Sequence, residues 1–556
     1  MANEIIIRTE DIRDDELLEI YVETASEKKN VEILMNKNPI LLVGSRGTGK
    51  TMLLRVAELK MDRNYKQDKI LAVRVSFNKS LFIDAYNDIQ YFRQWMLSKI
   101  LFSLKRKIHK LGIANSSTVF DKFFSVDIKD DALDKIEDFI NLLEESFNNK
   151  QINISEEIKS IFGVNSKSVN IINELDYFKA LIEDISNAYG IKRIVLLFDE
   201  ACHNFIPTQQ REFFTLYRDL RSPFITCKAA VYPGITSYGE TFQKFHDTTL
   251  IRIEKDIKDL EYVSWMRDVV KNQIEPKAYT VLEQHGDNFD LLIYACSGNP
   301  RLLLKSIQQA SREFKSLKTD EVNTTIKAFY RSEIWAEHTK LGEKYKGHKP
   351  FIDWGRMLLE SKVTKEIFKR NEERAAKKIK FRTLFFAIHK DAPEVVKASI
   401  RILEYSGIIL LHSEGVKGTN SEIYDRYQIN MGILLAEEAT PNNSFKNIVE
   451  NLSVKNNYYP EFGMNSLIYE DAPSNGNLQN NISLDFIIND IMDLPIAQLD
   501  FSRFQLDALG SLNIENVGDI LSLKEEDLKQ AKFIGNKRSR KIFNIALNAA
   551  FEYISG

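Results

Sequence analysis

Five short apolar runs alternate with longer stretches of helical periodicity in the first half of the chain. The runs occupy residues 39–43, 70–77, 194–198, 224–232 and 249–253. Continuous apolar runs of this length are typical of strands that are buried on both faces. Strands that alternate with helices predict a parallel α/β sheet with helices on both sides. Residues from about 85 to 190 are mostly helical in pattern, which predicts a helical insertion within residues 1–254.

The pattern changes three times after residue 254, so further folding units are expected. Residues 255–345 predict a helical lid. The pattern of residues 346–436 predicts three helices, the strand IILLHSEG, the turn VKGTN and the strand EIYDRYQIN. Three helices followed by a two-stranded hairpin is the order of elements in a winged helix. Residues 437–493 are rich in Asn and Ser and predict a linker. Helical order returns in residues 494–556, which predict a small all-α domain.

Composition narrows the class of protein without identifying a function. Hydrophobic residues make up 44% and charged residues 28% of the 556, which is typical of folded domains. The sequence has three widely spaced cysteines and no run of 18 apolar residues, so we expect a cytoplasmic protein without a disulfide framework or a membrane partner. The net charge of −3 means that a polyanion would have to bind to local basic patches.

A phosphate-binding motif follows the first apolar run directly and opens a helical pattern. It reads Gly44-Ser45-Arg46-Gly47-Thr48-Gly49-Lys50-Thr51, which satisfies the full GxxxxGK[ST] spacing. Its glycines let backbone N–H groups turn toward phosphates, its lysine reaches the β and γ oxygens, and its threonine hydroxyl faces Mg²⁺. Because a strand precedes it and a helix follows, the motif predicts an ATP site.

Two acids, Asp199 and Glu200, end the third apolar run. A carboxylate at the end of a buried strand is costly unless it serves a ligand or an ion. In P-loop proteins this position holds the magnesium shell, so Asp199 is predicted to bind Mg²⁺ together with Thr51. Glu200 is placed to orient or deprotonate the attacking water, which predicts an ATPase.

The pair GSRGTGKT and VLLFDE resembles the Walker A and B motifs of the AAA+ and STAND branch of P-loop ATPases. Residues 298–301, GNPR, resemble the sensor-two motif of the ORC/CDC branch. That resemblance implies that Arg301 contacts the γ-phosphate from the lid. It also implies a polar sensor after the fourth strand, for which Tyr232, Thr236 and Ser237 all qualify, and Thr236 is the residue we predict. A trans arginine finger has no clear counterpart, with Lys244, His246, Arg218 and Arg221 as the basic candidates.

The carboxy-terminal half carries two candidate DNA-binding modules. A winged helix docks a recognition helix in the major groove and its wing on phosphates, which points to Lys397 and Arg401 in residues 393–406 and to Lys417 in the wing. The last sixty residues resemble the carboxy-terminal domain of the RNA polymerase α subunit, including its helix-hairpin-helix turn. That resemblance implies DNA contact by Gly535, Lys537, Arg538 and Lys541.

Two functional hypotheses follow from these features. The first is an ORC-like AAA+ ATPase whose nucleotide state governs its engagement of duplex DNA. The second is a STAND-type signalling ATPase, for example in antiphage defence, whose carboxy-terminal domains sense a protein partner. Either one allows a homo-oligomer in the ATP-bound state, and a destructive output would need a separate effector protein.

Overall fold

A computed structural model of the 556-residue protein describes most of its residues. The described ranges are 5–77, 89–113, 132–148, 156–157, 160–161, 174–204, 207–239, 241–312, 314–344, 349–419, 421–455, 458–473, 491–499 and 501–555.

The amino-terminal half is built on a five-stranded parallel sheet. The strands are β1 Ile40–Val43, β2 Ile70–Ser76, β3 Arg193–Asp199, β4 Ile225–Val231 and β5 Thr249–Arg252, in the order β2-β3-β4-β1-β5. Each lies within one residue of the predicted boundaries, and the predicted parallel α/β sheet is confirmed.

Helices cover both faces of this sheet, because successive side chains of a strand point to opposite sides. Ile40 and Leu42 of β1 enter one core, and Leu41 and Val43 enter the other. The helices of this half are α1 Leu17–Ile20, α2 Ala25–Met35, α3 Lys50–Asp68, α4 Ile89–Lys110, α5 Ala132–Asn148, α6 Leu175–Tyr189, α7 Ala201–Asn204, α8 Pro207–Asp219 and α9 Lys244–Asp247. Helices α2 and α3 pack on one face, while α4, α5, α6 and α8 pack on the other.

A helical lid follows the sheet. Its helices are α10 Tyr262–Lys271, α11 Pro276–Gln284, α12 Gly286–Ala295, α13 Pro300–Ala310, α14 Thr319–Ala328, α15 Ile334–Thr339 and α16 Leu341–Lys344. A mixed unit comes next, containing α17 Lys349–Leu358, α18 Thr364–Ala376, β6 Phe385–His389, α19 Glu394–Tyr405, β7 Ile409–Lys417 and β8 Ile423–Ile429.

The strand β6 is absent from the predicted order of three helices and a hairpin. All five of its residues are buried, and it pairs antiparallel with β8, so that Phe385 lies opposite Gln428. Strand β8 also pairs antiparallel with β7, as the predicted hairpin requires. An apolar run of five residues has no periodicity that distinguishes a strand from a helix, and a partner about forty residues away decides the outcome.

The predicted linker over residues 437–493 is wrong for its first part. Helices α20 Met431–Glu437 and α21 Pro441–Asn451 pack against α12 and α14 of the lid, and a two-residue strand β9, Glu461–Phe462, pairs with β6. Phe445 and Ile448 are the buried anchors of α21. Of the four asparagines in this helix, Asn443 and Asn447 are exposed, whereas Asn442 and Asn451 are half-buried. Within the rest of the predicted linker, residues 456–457 and 474–490 lie outside the described residues.

The carboxy-terminal domain is helical, as predicted. It consists of α22 Arg503–Gly510, α23 Val517–Ser522, α24 Glu525–Leu528 and α25 Asn536–Ser555. Helix α25 packs on α23 and α24, and it also contacts α8 and α19. Within the described ranges, no helix combines the length and the apolar character that crossing a bilayer requires.

Candidate functional site

The phosphate-binding loop lies between β1 and α3, with both flanking elements buried. Its backbone turns at Gly47 and Gly49, whose φ angles are +89° and +97°. Helix α3 begins at Lys50, immediately after the second of these glycines. Left-handed backbone at two positions lets the loop curl so that amide groups face one cavity. The loop therefore has the form of an anion cradle at a helix start.

Lys50 is held inside this loop. Its Nζ donates to the carbonyl oxygens of Gly44 at 2.5 Å and Ser45 at 2.9 Å, and it lies 3.8 Å from the centre of the Tyr232 ring. Burial lowers the pKa of Lys50 to about 8, although Glu254 and Asp199 favour its charged form. Lys50 is a buried cation that donates only two hydrogen bonds to the described residues, and it lies next to an anion cradle. Such a group is suited to binding a phosphate.

Asp199 and Glu200 lie across the cavity from this lysine. The β2–β3 register pairs Asp199 with Ser76, and the Asp199 carboxylate is hydrogen-bonded to the Thr51 hydroxyl. Glu200 has a φ of +67°, and its N–H donates to Asp199 Oδ1 at 3.1 Å. Burial raises the pKa of both carboxyl groups. A cation between them would offset that cost, and a carboxylate beside a hydroxyl is an oxygen donor set that suits Mg²⁺.

The lid closes on the loop through the GNPR segment. Asn299 caps α13 by accepting from the Leu302 N–H at 3.3 Å, and its Nδ2 donates to the Arg46 carbonyl at 2.8 Å. A Cβ added at Gly47 would lie 2.7 Å from Asn299 Oδ1 and 2.9 Å from Arg301 Cβ. Asn299 is therefore the cap of α13, Pro300 is its first residue, and the same segment contacts the phosphate-binding loop.

Arg301 faces the same cavity as Lys50. Burial lowers its pKa, with a further contribution from Arg46, and its Nε is buried without a hydrogen-bond partner among the described residues. A buried guanidinium without a carboxylate partner is costly unless an anion completes its hydrogen bonds. A phosphate in this cavity would be such an anion, and the γ-phosphate contact of Arg301 stays a prediction.

Sequence reasoning missed the part of the cavity that lies beyond the phosphates. The whole cavity has a volume of about 390 Å³, and its far wall comes from the amino-terminal segment and from α10 and α13, through Ile7, Ile12, Tyr21, Val22, Trp265, Val269, Gln273 and Leu304. Three buried polar atoms there, Tyr21 Oη, Trp265 Nε1 and Gln273 Oε1, have no hydrogen-bond partner among the described residues. An apolar slot with a few unpaired polar atoms fits a purine base. The apolar triplet at residues 5–7 was the sequence signal available for it.

The structure separates the candidate sensor residues by their position relative to the cavity, and the sensor role itself stays a prediction. Thr236 Oγ1 donates to the Tyr232 carbonyl at 2.5 Å, and Thr236 does not line the cavity. Tyr232 lines it and contacts Lys50. The motif search also missed Glu254, a buried acid that accepts from the Ser45 N–H at 2.9 Å. Its pKa is raised by burial, and the residue follows β5, the neighbour of β1 in the sheet.

The candidate arginine-finger residues lie away from this cavity. Arg218 pairs with Asp219 at 2.7 Å, and Arg221 donates to the Asp247 carbonyl at 3.4 Å. Lys244 and His246 lie on the short helix α9. The identity of a trans finger stays open.

The residues predicted to contact DNA fall into two groups. Lys397 pairs with the buried Glu394 at 2.8 Å, Arg401 pairs with the same carboxylate, and most of α19 is buried. Asn544 of α25 accepts from the Glu394 N–H at 3.0 Å and so covers the amino-terminal end of α19. In this conformation α19 has no free face for a major groove. By contrast, the hairpin residues are exposed, namely Gly535, Lys537, Arg538 and Lys541, and Lys417 lies at the exposed end of β7.

Comparison with known proteins places this sequence in a family. Residues 6–408 match the family model ORC-CDC6-like, and residues 487–545 match the model of the C-terminal domain of the bacterial RNA polymerase alpha chain. Among solved structures, the protein is similar to the Aeropyrum pernix ORC1 protein in complex with DNA, with 13% identity over 76% of this chain and 95% of that chain and a TM-score of 0.31. It is also similar to the Aeropyrum pernix ORC2 protein in its ADPNP-ADP complexes, with 10% identity over 78% of this chain and 93% of that chain and a TM-score of 0.34. No curated protein matches the sequence. Since the first family model covers well over half of its residues, the chain belongs to the ORC-CDC6-like family.

Proposed function

We propose that this protein binds and hydrolyses ATP with Mg²⁺, and that the bound nucleotide controls how its carboxy-terminal modules engage duplex DNA. The observation that carries the proposal is a direct contact between the phosphate-binding loop and the unit that contains α19.

The nucleotide chemistry is assigned to residues that share one cavity. The loop amides and Lys50 would hold the β and γ phosphates, and Thr51 and Asp199 would hold Mg²⁺, which neutralises charge on the phosphates. Glu200 would accept the proton of the attacking water, and Arg301 would contact the γ-phosphate from the lid. The lid contact of Asn299 with Arg46 brings these groups to one place.

The junction joins the loop to the end of α19. Tyr405, the last residue of α19, packs edge to face on Tyr232 with ring centres 5.5 Å apart, and Tyr232 in turn contacts Lys50. A Cβ added at Gly407 would lie 3.5 Å from Ser45 Oγ. Lys50 has to leave the carbonyls of its own loop to reach a phosphate. Binding of ATP therefore changes the groups on which α19 rests.

A second part of the junction connects the sheet to the mixed unit that contains α19 and β7. Arg252 of β5 pairs with Glu414 of β7 at 3.1 Å, and buried Glu404 of α19 lies near both. Burial raises the pKa of Glu404 to about 8, with smaller contributions from Glu254 and Glu414 that act in the same direction and from Arg252 and Arg401 that oppose them. A buried acid with a raised pKa makes the docked state less stable at neutral pH than at acidic pH, because burial holds the carboxyl group in its neutral form.

The functional consequence is that the side of α19 that rests on the sheet becomes accessible when the junction opens, and that the helix becomes available to DNA once it also leaves α25. In the docked state its amino-terminal end is covered by Asn544, and Lys397 and Arg401 are neutralised by Glu394. The exposed hairpin at the start of α25 provides a first, sequence-independent contact with phosphates.

A steric wedge tests this coupling. Gly234 follows β4 with a φ of +78°, and a Cβ there would overlap the Arg401 carbonyl oxygen. Because the obstacle is backbone, Gly234→Ala should force α19 away from the sheet. Gly190→Ala is the matched control, since Gly190 has a φ of +64° and nothing within 4 Å of the added Cβ.

We expect Gly234→Ala to bind duplex DNA without nucleotide as tightly as the wild type binds it with ATP, while Gly190→Ala keeps the ATP dependence. Hydrogen exchange of α19 reports whether the helix has been released. Faster exchange in α19 together with DNA affinity that still follows ATP would contradict the proposal.

A further inference from the structure

Phe533 is a large apolar side chain that the fold places in solvent. It is 69% exposed, although its neighbours Ala531 and Ile534 are buried. Its φ is +67°, a left-handed conformation that bulky residues seldom adopt. The two buried neighbours anchor the hairpin, and the residue between them projects its ring outward.

Positive charge surrounds this ring. Lys532 Nζ lies 5.3 Å from the centre of the ring, and the Arg538 guanidinium donates to the Phe533 carbonyl at 2.7 Å. Arg538 also lies 5.1 Å from the half-exposed ring of Phe504. Lys537 and Lys541 complete the group on the first turn and a half of α25, which has no acidic residue in its first turn.

The described part of the chain offers these cations no carboxylate partner. Among the described residues, none of Lys532, Lys537, Arg538 and Lys541 forms an ion pair, whereas buried Arg540 of the same helix pairs with Glu525. Charge complementarity therefore indicates that the binding partner is a polyanion. The exposed phenyl ring indicates that this partner has a flat apolar surface between its anionic groups. Nucleic acid combines both, because phosphates flank bases with an aromatic face.

We propose that Phe533 inserts between bases of duplex DNA at a step that is open or easily unstacked, while the four cations hold the flanking phosphates. This inference rests on the proposed DNA engagement and names the form of DNA that the hairpin prefers. Apolar side chains inserted at a base step unstack it and kink the duplex, which is easiest where a base is already unpaired. The ring should therefore favour a duplex with one unpaired base over a fully paired duplex.

The test compares two duplexes of the same sequence and length, one fully paired and one with a single unpaired adenine. Phe533→Ala should weaken binding to the unpaired-base duplex about tenfold and leave binding to the paired duplex within about twofold. Phe533→Trp should retain the preference, and its added tryptophan should lose fluorescence on binding. Phe245→Ala is the matched control, because Phe245 is 77% exposed and belongs to the short helix α9, not to this hairpin.

A charge variant separates this inference from the function on which it rests. Lys537→Ala combined with Lys541→Ala should weaken binding to both duplexes and reduce the slope of log affinity against log salt by about 2. If the charge variant behaves so and Phe533→Ala matches Phe245→Ala, base insertion is refuted and DNA engagement stands. If the charge variant leaves binding to both duplexes unchanged, DNA engagement by this hairpin is refuted, and base insertion with it.

Discussion

The affinity for ATP should fall as the pH rises above about 8, because Lys50 has to carry its proton to bind phosphate. Burial lowers the pKa of Lys50 to about 8 from its ordinary value of 10.5. Nucleotide-free protein therefore loses this proton as the pH rises through about 8. The triphosphate favours the charged lysine, so the pKa of Lys50 is higher in the complex and binding takes up a proton above pH 8.

The size of the effect follows from the protonated fraction of the free protein. Below pH 8 most Lys50 side chains are charged and the affinity should be flat. Above it, the affinity should fall by up to about tenfold per pH unit, which reaches roughly thirtyfold near pH 9.5 if the pKa in the complex lies higher still. Titration with a fluorescent ATP analogue and Mg²⁺ measures this directly, and calorimetry in buffers of different ionisation enthalpy measures the proton uptake.

Lys50→Arg is the matched control, since a guanidinium keeps its charge over this range. At pH 7 the ATP affinity of Lys50→Arg should be lower than that of the wild type, because a guanidinium group is larger than an ammonium group. The affinity of this variant should not change between pH 7 and pH 9.5. The reasoning is refuted if wild-type affinity stays flat from pH 7.5 to 9.5, or if Lys50→Arg shows the same slope.

Two further predictions concern the metal side and the lid side of the cavity. Glu200→Gln should keep ATP affinity within a few fold and lower the rate of ATP hydrolysis about a hundredfold or more. Glu183→Gln, on the exposed face of α6, should leave that rate unchanged. Equal hydrolysis rates in Glu200→Gln and wild type would reject Glu200 as the general base. Gly47→Ala should speed hydrogen exchange in the first turn of α13 by roughly tenfold in the nucleotide-free protein. The added Cβ would lie too close to Asn299 and Arg301, and such overpacking costs about 1–3 kcal/mol. Gly49→Ala carries the same backbone strain with nothing within 4 Å of its Cβ, so equal effects of the two substitutions would show that strain and not the lid contact is responsible.

Local pattern was sufficient for the sheet and for the phosphate side of the cavity. A strand buried on both faces is a continuous apolar run, so all five strands of the parallel sheet could be predicted to within a residue. The loop between β1 and α3 is a contiguous motif whose glycine positions follow from the backbone turn it makes. Asp199 and Glu200 follow a strand directly, and the carboxyl ends of parallel strands meet at one edge of a sheet. Each of these features depends on neighbours in the sequence.

What the tertiary structure decided depends on residues that are far apart in sequence. The base slot joins residues near 7 and 21 with Trp265 and Gln273. Glu254 accepts from Ser45 because β5 and β1 are neighbours in the sheet, and β6 forms a strand because β8 pairs with it. The amphipathic pattern of α19 marked one buried face but not a second, and only docking against the sheet, α17 and α25 encloses the whole helix. Periodicity reports which face of an element is apolar, whereas the partner that covers it is set by three-dimensional packing.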